Sequence, residues 1–220
     1  MARTWAPLKA AALLTLLSPA LPPAGRPAMA ADCRLAVLGD SLTAGYGVAL
    51  GEGFPARLET ALAGEGVTCA VVDAGVSGDT SAGGLGRLDW VLGDQPTHLL
   101  VELGANDALR ALPAAQLLQN LDAIVTRAKA AGVEVMLAGM LAPPNLGTAY
   151  GKEFAAAFTT TAARHDVPLY PFFLDGVVGA PELVQRDGLH PNAAGVETIV
   201  ARILPSVTAW LQSTANGQPS

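Results

Sequence analysis

The segment RLAVLGDSLTAGYG, residues Arg34 to Gly47, joins a short apolar run to an abrupt turn. The run Arg34–Leu38 has no polar alternation, which is typical of a strand buried on both faces of a parallel sheet. An acid, a serine and glycines follow at once. The glycines and the acid are sufficient for a turn. Ser41 therefore needs another explanation.

Four more apolar runs of this kind follow along the chain: Thr68–Asp73, His98–Leu103, Val133–Ala138 and Val167–Tyr170. Helical patterns fill the intervals between them: Phe54–Ala63, Pro113–Ala131, Tyr150–Asp166 and Asn192–Gln212. Pro205 is expected to kink the last of these helices. Regular alternation of strand and helix predicts an α/β fold, in which helices cover both faces of a parallel sheet.

The first 30 residues differ in composition from the rest of the chain. Arg3 and Lys9 are followed by the apolar run AAALLTLLSPAL and by the small-residue site Ala28-Met29-Ala30. This order is typical of a cleaved secretory signal, so we expect a periplasmic or secreted protein. A retained anchor is the alternative, but the run is short and proline-rich for a membrane span. We then expect residues 31–213 to form one domain and residues 214–220 to form a frayed tail.

The charge of the chain narrows its choice of partners. The formal net charge is −6, and removal of residues 1–30, which hold three basic residues and no acid, makes it −9. An acidic chain without a basic run is a poor candidate for binding nucleic acid or an anionic membrane surface. We therefore expect a monomer that acts on a small molecule and has no stable membrane insertion after signal removal.

The two cysteines, Cys33 and Cys69, precede the first two predicted strands by similar offsets. If those strands are parallel neighbours, both cysteines lie at the same end of the sheet. An oxidising compartment would then allow a disulfide between them. The alternative is that both side chains are small buried hydrophobes.

The conspicuous polar residues follow the predicted strands, where ligands of parallel sheets bind. GDSLTAGYG contains Ser41, GVSGDTSAGG contains Gly78, GANDALR contains Asn106, and RDGLHPNAAG contains Asp187 and His190. Acyl transfer needs a nucleophile, a base, a group that orients the base, and donors for an oxyanion. Ser41, His190 and Asp187 can supply the first three. The backbone N–H groups of Ser41 and Gly78 and the amide of Asn106 can supply the donors.

Each of these residues also has a simpler interpretation in isolation. A serine after a strand most often caps a helix, and Thr43 excludes the G-x-S-x-G elbow. The glycine-rich segments match no phosphate-binding loop, and the histidines lack a third ligand for zinc, so no cofactor or metal is expected. Asp40 and Asp107 are expected to be structural. Arg110 contacts an anionic substrate group or is a solvated surface side chain.

Together the four motifs resemble the SGNH-hydrolase, or GDSL-lipase, family, and in particular its secreted bacterial arylesterases and acyl-CoA thioesterase I/lysophospholipases. The resemblance covers nearly the whole mature chain. It implies a flavodoxin-like three-layer α/β/α sandwich with strand order 2-1-3-4-5. It also implies that Ser41, Gly78, Asn106 and His190 are the name-giving residues, with Asp187 completing the triad.

The resemblance implies a serine esterase that forms an acyl-enzyme from an ester or a thioester. The loop Met140–Tyr150, together with Leu109, Leu112 and Phe172, is a candidate lining for an acyl pocket, although it could equally be an ordinary packed loop. Two alternatives remain open at this point. One is a carbohydrate O-deacetylase on the same scaffold, and the other is a non-catalytic acyl-binding module.

Overall fold

A computed structural model describes residues 1–2 and 33–215, so the predicted signal segment after residue 2 and the tail after residue 215 lie outside the described residues. Five parallel strands form one sheet in the order β2-β1-β3-β4-β5. The strands are β1 (Arg34–Gly39), β2 (Ala70–Gly75), β3 (His98–Glu102), β4 (Glu134–Ala138) and β5 (Leu169–Tyr170). The predicted α/β fold and strand order are therefore confirmed.

Within the described residues, six α-helices lie between successive strands and a seventh follows β5: α1 (Phe54–Gly64), α2 (Ser81–Gly86), α3 (Leu88–Gly93), α4 (Ala105–Leu109), α5 (Ala114–Ala130), α6 (Thr148–His165) and α7 (Ala193–Ala215). The sequence analysis missed α2, α3 and α4, because each has only five or six residues and the first two are interrupted or ended by glycine. α7 runs without interruption through Pro205. Ile203 and Val207 are fully buried on either side of this proline, so packing holds the helix together there.

The centre of the sheet is the core of the molecule. Leu35, Val37 and Leu38 of β1 and Leu99 and Leu100 of β3 are fully buried, as a strand covered on both faces requires. Helix α1 packs against α7, while α5 packs against α2 and α6, which gives two helical layers around the sheet. Across residues 33–215, no helix is both long enough and apolar enough to cross a bilayer.

The two cysteines lie at the start of the two strands that pair at one side of the sheet. Cys33 immediately precedes β1 and Cys69 immediately precedes β2, and the register places Arg34 opposite Ala70. The structure joins the cysteines in a disulfide with their Cα atoms 4.6 Å apart. The bond therefore ties the beginning of the described domain to the edge strand β2.

We predict that replacing both cysteines, Cys33→Ala with Cys69→Ala, lowers the free energy of unfolding. The bridge closes a loop with a sequence separation of 36, and the chain-entropy relation gives about 3–4 kcal/mol for such a loop. Urea unfolding of the oxidised wild type and the double variant measures the difference. Reductant should destabilise the wild type to the same extent and leave the variant unchanged. Equal stability of the two proteins without reductant would contradict the prediction.

Candidate active site

The structure brings the predicted site residues to the carboxyl edge of the sheet. Ser41, Gly78 and Asn106 lie just beyond the ends of β1, β2 and β3, which are neighbours in the sheet. Asp187 and His190 come from the loop that leads into α7. Ser41, Asn106 and His190 line one cleft, whereas Gly78 lies outside the lining of that cleft.

Three of these residues form a hydrogen-bonded chain. The Ser41 hydroxyl lies 2.9 Å from Nε2 of His190, and Nδ1 of His190 lies 2.6 Å from Oδ2 of Asp187. An ionised carboxylate only accepts hydrogen bonds, so Nδ1 carries the proton that faces Asp187. Nε2 is then the unprotonated nitrogen, and it can accept the proton of the Ser41 hydroxyl.

The short loop DGLH holds Asp187 as a carboxylate. Its Oδ1 accepts hydrogen bonds from the backbone N–H groups of Leu189, at 2.9 Å, and of His190, at 3.1 Å. Hydrogen bonds lower the pKa of Asp187 to about 2. The bond from the Leu189 N–H has the largest effect, and those from the side chain and the N–H of His190 come next. Asn192 caps α7 through a hydrogen bond from Gly195 N–H to its Oδ1, at 3.0 Å, and so fixes the end of this loop.

Three N–H groups of the predicted site residues each have a proton without an acceptor among the described residues. The backbone N–H groups of Ser41 and Gly78 have no acceptor among residues 33–215. Nδ2 of Asn106 donates one proton to Oδ2 of Asp40, at 2.9 Å, and its second proton is left over. Gly78 has a φ of +85°, in the left-handed region that disfavours a residue with a Cβ.

Asp40 fixes the turn that carries Ser41. The side chain is completely buried, and its Oδ1 accepts a hydrogen bond from the Leu42 N–H at 2.9 Å. Because its Oδ2 accepts the hydrogen bond from Asn106, the carboxyl joins the loop after β1 to the segment after β3. Burial raises the pKa of Asp40 to about 6, and the hydrogen bonds from Leu42 and Asn106 oppose that shift.

Glu102, the last residue of β3, is a site residue that the sequence analysis missed. It is completely buried, and its Oε2 accepts a hydrogen bond from the Thr43 hydroxyl at 2.8 Å. Burial, and next the charge of Asp40, raise its pKa well above the ordinary value. A Cβ at Gly39 would clash with both Thr43 and Glu102, which explains the glycine there. An acid at the end of the apolar run was the available signal.

Tyr46 is a second missed residue. Its ring stacks on the imidazole of His190, with ring centroids 4.5 Å apart and planes tilted by 40°. Its carbonyl accepts a hydrogen bond from Nε2 of Gln185, at 2.7 Å, which ties the loop after β1 to the loop that carries Asp187. Both contacts hold the imidazole in place beside Ser41.

The cleft beside Ser41 has a volume of about 440 Å³ and a mainly apolar lining. Seven of the residues predicted to line an acyl pocket are in its walls. Five come from the loop after β4, namely Met140, Leu141, Ala142, Pro143 and Pro144, and the other two are Leu109 and Phe172. Val178 and Leu189 also line the cleft. The expectation for Leu112 was wrong, because it does not line the cleft and its carbonyl instead accepts a hydrogen bond from Tyr150. Within residues 33–215, no group of three or more His, Cys, Asp or Glu side chains could hold a metal ion.

Comparison with known proteins places this fold and site in a family. The GDSL-like Lipase/Acylhydrolase family matches residues 37–197. Esterase TesA of Pseudomonas aeruginosa is 41% identical over 183 residues, which cover 83% of this chain and 91% of that protein. Thioesterase 1/protease 1/lysophospholipase L1 of Escherichia coli K12 is 43% identical over 166 residues, which cover 75% of this chain and 78% of that protein.

A solved structure supports the same assignment. The psychrotrophic esterase EstA from Pseudoalteromonas sp., in a structure inhibited by monoethylphosphonate, superposes with a TM-score of 0.78 at 37% identity. The match covers 82% of this chain and 100% of that one. The chain is a carboxylic ester hydrolase by class. It belongs to the GDSL-like lipase/acylhydrolase family, and its fold is that of the SGNH-hydrolase esterases.

The burial of Glu102 leads to a prediction about stability and pH. Its carboxyl stays protonated in the folded chain at a pH where it is already ionised in the unfolded chain, above the ordinary value of 4.5. The folded state then binds more protons, so the free energy of unfolding falls as pH rises. In Glu102→Gln, whose amide cannot ionise, the free energy of unfolding should fall less as pH rises.

Urea unfolding between pH 6.5 and 9 isolates this effect, because Asp40, with a pKa of about 6, is mostly ionised there. The free energy of unfolding should fall less steeply with pH in the Gln variant than in the wild type. The comparison concerns the slope, since the buried amide also changes absolute stability. Identical slopes would show that Glu102 is ionised in the folded protein.

Proposed function

We propose that this chain hydrolyses small carboxylic esters through an acyl-enzyme on Ser41, with His190 as the general base and Asp187 as its orienting partner. The observation that carries this proposal is the chain of hydrogen bonds from Ser41 through His190 to Asp187 at the mouth of an apolar cleft. A nucleophile, a base and an orienting acid in this geometry are the arrangement that acyl transfer requires.

In the first half of the reaction, Oγ of Ser41 attacks the carbonyl carbon while Nε2 of His190 takes the hydroxyl proton. Asp187, a carboxylate at neutral pH, stabilises the imidazolium that forms. The carbonyl oxygen becomes an oxyanion, which accepts hydrogen bonds from the N–H groups of Ser41 and Gly78. The free proton of the Asn106 amide is the third donor.

In the second half, the tetrahedral intermediate collapses and the bond to the leaving oxygen or sulfur breaks. His190 gives its proton to that leaving atom, and the acyl group remains on Ser41. A water molecule then attacks the acyl carbonyl while His190 takes one of its protons. Collapse of this second intermediate releases the acid and returns the proton to Ser41, so no cofactor is consumed.

The lining of the cleft supports aryl esters and esters of short to medium acyl chains as substrates. Its walls are mainly leucine, alanine and proline, which bind hydrocarbon better than a hydroxylated sugar. This lining argues against the carbohydrate deacetylase. The names of the relatives, an esterase and a thioesterase/lysophospholipase, extend the proposal to lysophospholipids and acyl thioesters. A binding module would not need the Asp187–His190 pair.

We also propose that the chain acts in the periplasm or outside the cell, as a monomer. The composition of residues 1–30 supports export, and a disulfide between Cys33 and Cys69 suits an oxidising compartment. Removal of the signal would leave a strongly acidic domain, which favours a small neutral substrate over nucleic acid.

The first prediction of this proposal concerns Ser41. The mature chain should hydrolyse p-nitrophenyl esters in a series from acetate to palmitate, and Ser41→Ala should lower kcat by at least ~10⁴-fold, as loss of a triad nucleophile does. Circular dichroism checks that the variant is folded. Undiminished turnover by a folded variant would refute the role of Ser41. No turnover of any ester by the wild type would favour the binding module.

The second prediction concerns the apolar wall. Leu141 lines the cleft, and half of it is exposed, so Leu141→Asp should tolerate folding while placing a charge beside the acyl chain. Hydrolysis of p-nitrophenyl octanoate should fall by about tenfold in kcat/KM, since each buried methylene contributes about 0.8 kcal/mol. Hydrolysis of the acetate should change little.

Leu50→Asp is the matched control for this variant. Leu50 is fully exposed and does not line the cleft, so its substitution should leave both esters unaffected. An equal loss for acetate and octanoate in Leu141→Asp would mean that the acyl chain binds elsewhere.

A further inference from the structure

Arg110 connects α4, which carries Asn106, to the loop that carries Gly78. It follows α4 directly, and its backbone N–H donates to the carbonyl of Asn106 at 3.2 Å. Its side chain reaches across to the other loop, where Nη2 donates to the carbonyl of Gly78 at 2.8 Å. One residue is therefore hydrogen-bonded to the backbone carbonyls of both residues that carry candidate oxyanion donors.

Two hydrogen bonds hold the peptide between Gly78 and Asp79: the one from Arg110, and one from the Asp79 N–H to the carbonyl of Val76 at 3.0 Å. Among residues 33–215, Arg110 is the single hydrogen-bond partner of the Gly78 carbonyl, and the Gly78 N–H has none. The next residue is held more firmly, because Asp79 forms an ion pair with Arg87 at 2.6 Å. A glycine has the widest backbone freedom of any residue, so its peptide groups turn easily unless a contact fixes them.

We propose that Arg110 is a positioning residue of the oxyanion hole, and this inference rests on the proposed function. By holding the Gly78 carbonyl, the guanidinium anchors the peptide that follows Gly78 and so limits rotation about its Cα, from which the Gly78 N–H projects. It does so from the segment that carries Asn106. The two donors then face the same substrate oxygen before the substrate arrives. Donors aligned in advance stabilise the oxyanion without any reorganisation during the reaction.

This role differs from both sequence-based interpretations of Arg110. A solvated surface arginine would have no effect on turnover. An arginine that binds an anionic substrate group would act on KM and only with anionic esters. A positioning residue acts on kcat with every ester, because the oxyanion forms whatever the substrate carries elsewhere.

The test compares Arg110→Gln and Arg110→Lys with the control Arg164→Gln. Arg164 is a half-exposed arginine in the last turn of α6, where it pairs with Asp122 of α5 and does not line the cleft. Hydrolysis of neutral p-nitrophenyl butyrate gives kcat and KM. An activated phosphonate ester titrates the active sites, so that kcat refers to folded and competent enzyme.

We expect Arg110→Gln to lower kcat by about 10- to 100-fold, somewhat less than the ~10²–10³-fold cost of deleting a donor outright, while KM stays within about twofold. Arg110→Lys should recover part of the loss, because an ammonium can supply one N–H to the Gly78 carbonyl. The rate of phosphonylation should fall in parallel, since that reaction also develops a charged oxygen. The midpoint of the pH–rate profile should not move, because His190 is untouched.

Two results would overturn the inference. One is an unchanged kcat per titrated site in Arg110→Gln. The other is a loss confined to KM and to an anionic ester, such as the p-nitrophenyl monoester of a dicarboxylic acid. Failure of the proposed function is distinguishable from both, because the wild type would then not turn over any ester or Ser41→Ala would remain active.

Discussion

The hydrogen bond between the Asp40 carboxyl and the Asn106 amide is the contact on which the arrangement of the site depends. It joins the ends of β1 and β3 directly beside Ser41. A carboxylate accepts but does not donate, so the amide must turn its NH₂ group, and not its oxygen, toward Asp40. The same nitrogen then has a second proton for the substrate oxygen. One buried contact therefore sets both the turn that carries Ser41 and the orientation of a candidate oxyanion donor.

This arrangement has a cost in stability. Asp40 and Glu102 are both completely buried, and burial raises the pKa of each carboxyl. Burying carboxyl groups side by side is unfavourable when they ionise, and one oxygen of Glu102 has no hydrogen-bond partner within the described residues. A wholly apolar core at this position would avoid the cost of removing carboxyl groups from water. It could not hold the loops after β1 and β3 in a fixed relation through directional hydrogen bonds.

Much of the fold and the site could be predicted from the sequence, because their signals are local or follow from parallel topology. Continuous apolar runs identified the strands, and the motifs after them identified Ser41, Asn106 and His190 at one edge. The helices α2 to α4 could not be predicted, since five or six residues are too few to show a helical period, and glycine also weakens the pattern of α2 and α3. Contacts between loops, such as Arg110 with Gly78, depend on side chains distant in sequence meeting in the fold. Leu112 was wrongly predicted to line the cleft. It is close to Leu109 in sequence, but only Leu109 lines the cleft in the fold.

The most direct test of the central claim is to find which residue acts as the nucleophile. The mature protein can be treated with an activated phosphonate ester, which mimics the tetrahedral intermediate, and then analysed by intact-mass and peptide mass spectrometry. We expect one phosphonyl group per chain, on Ser41, and none in Asp187→Asn or His190→Ala over the time in which the wild type reacts completely. A folded protein that takes up no label, or takes it up on another residue, would contradict the assignment of Ser41 as the nucleophile.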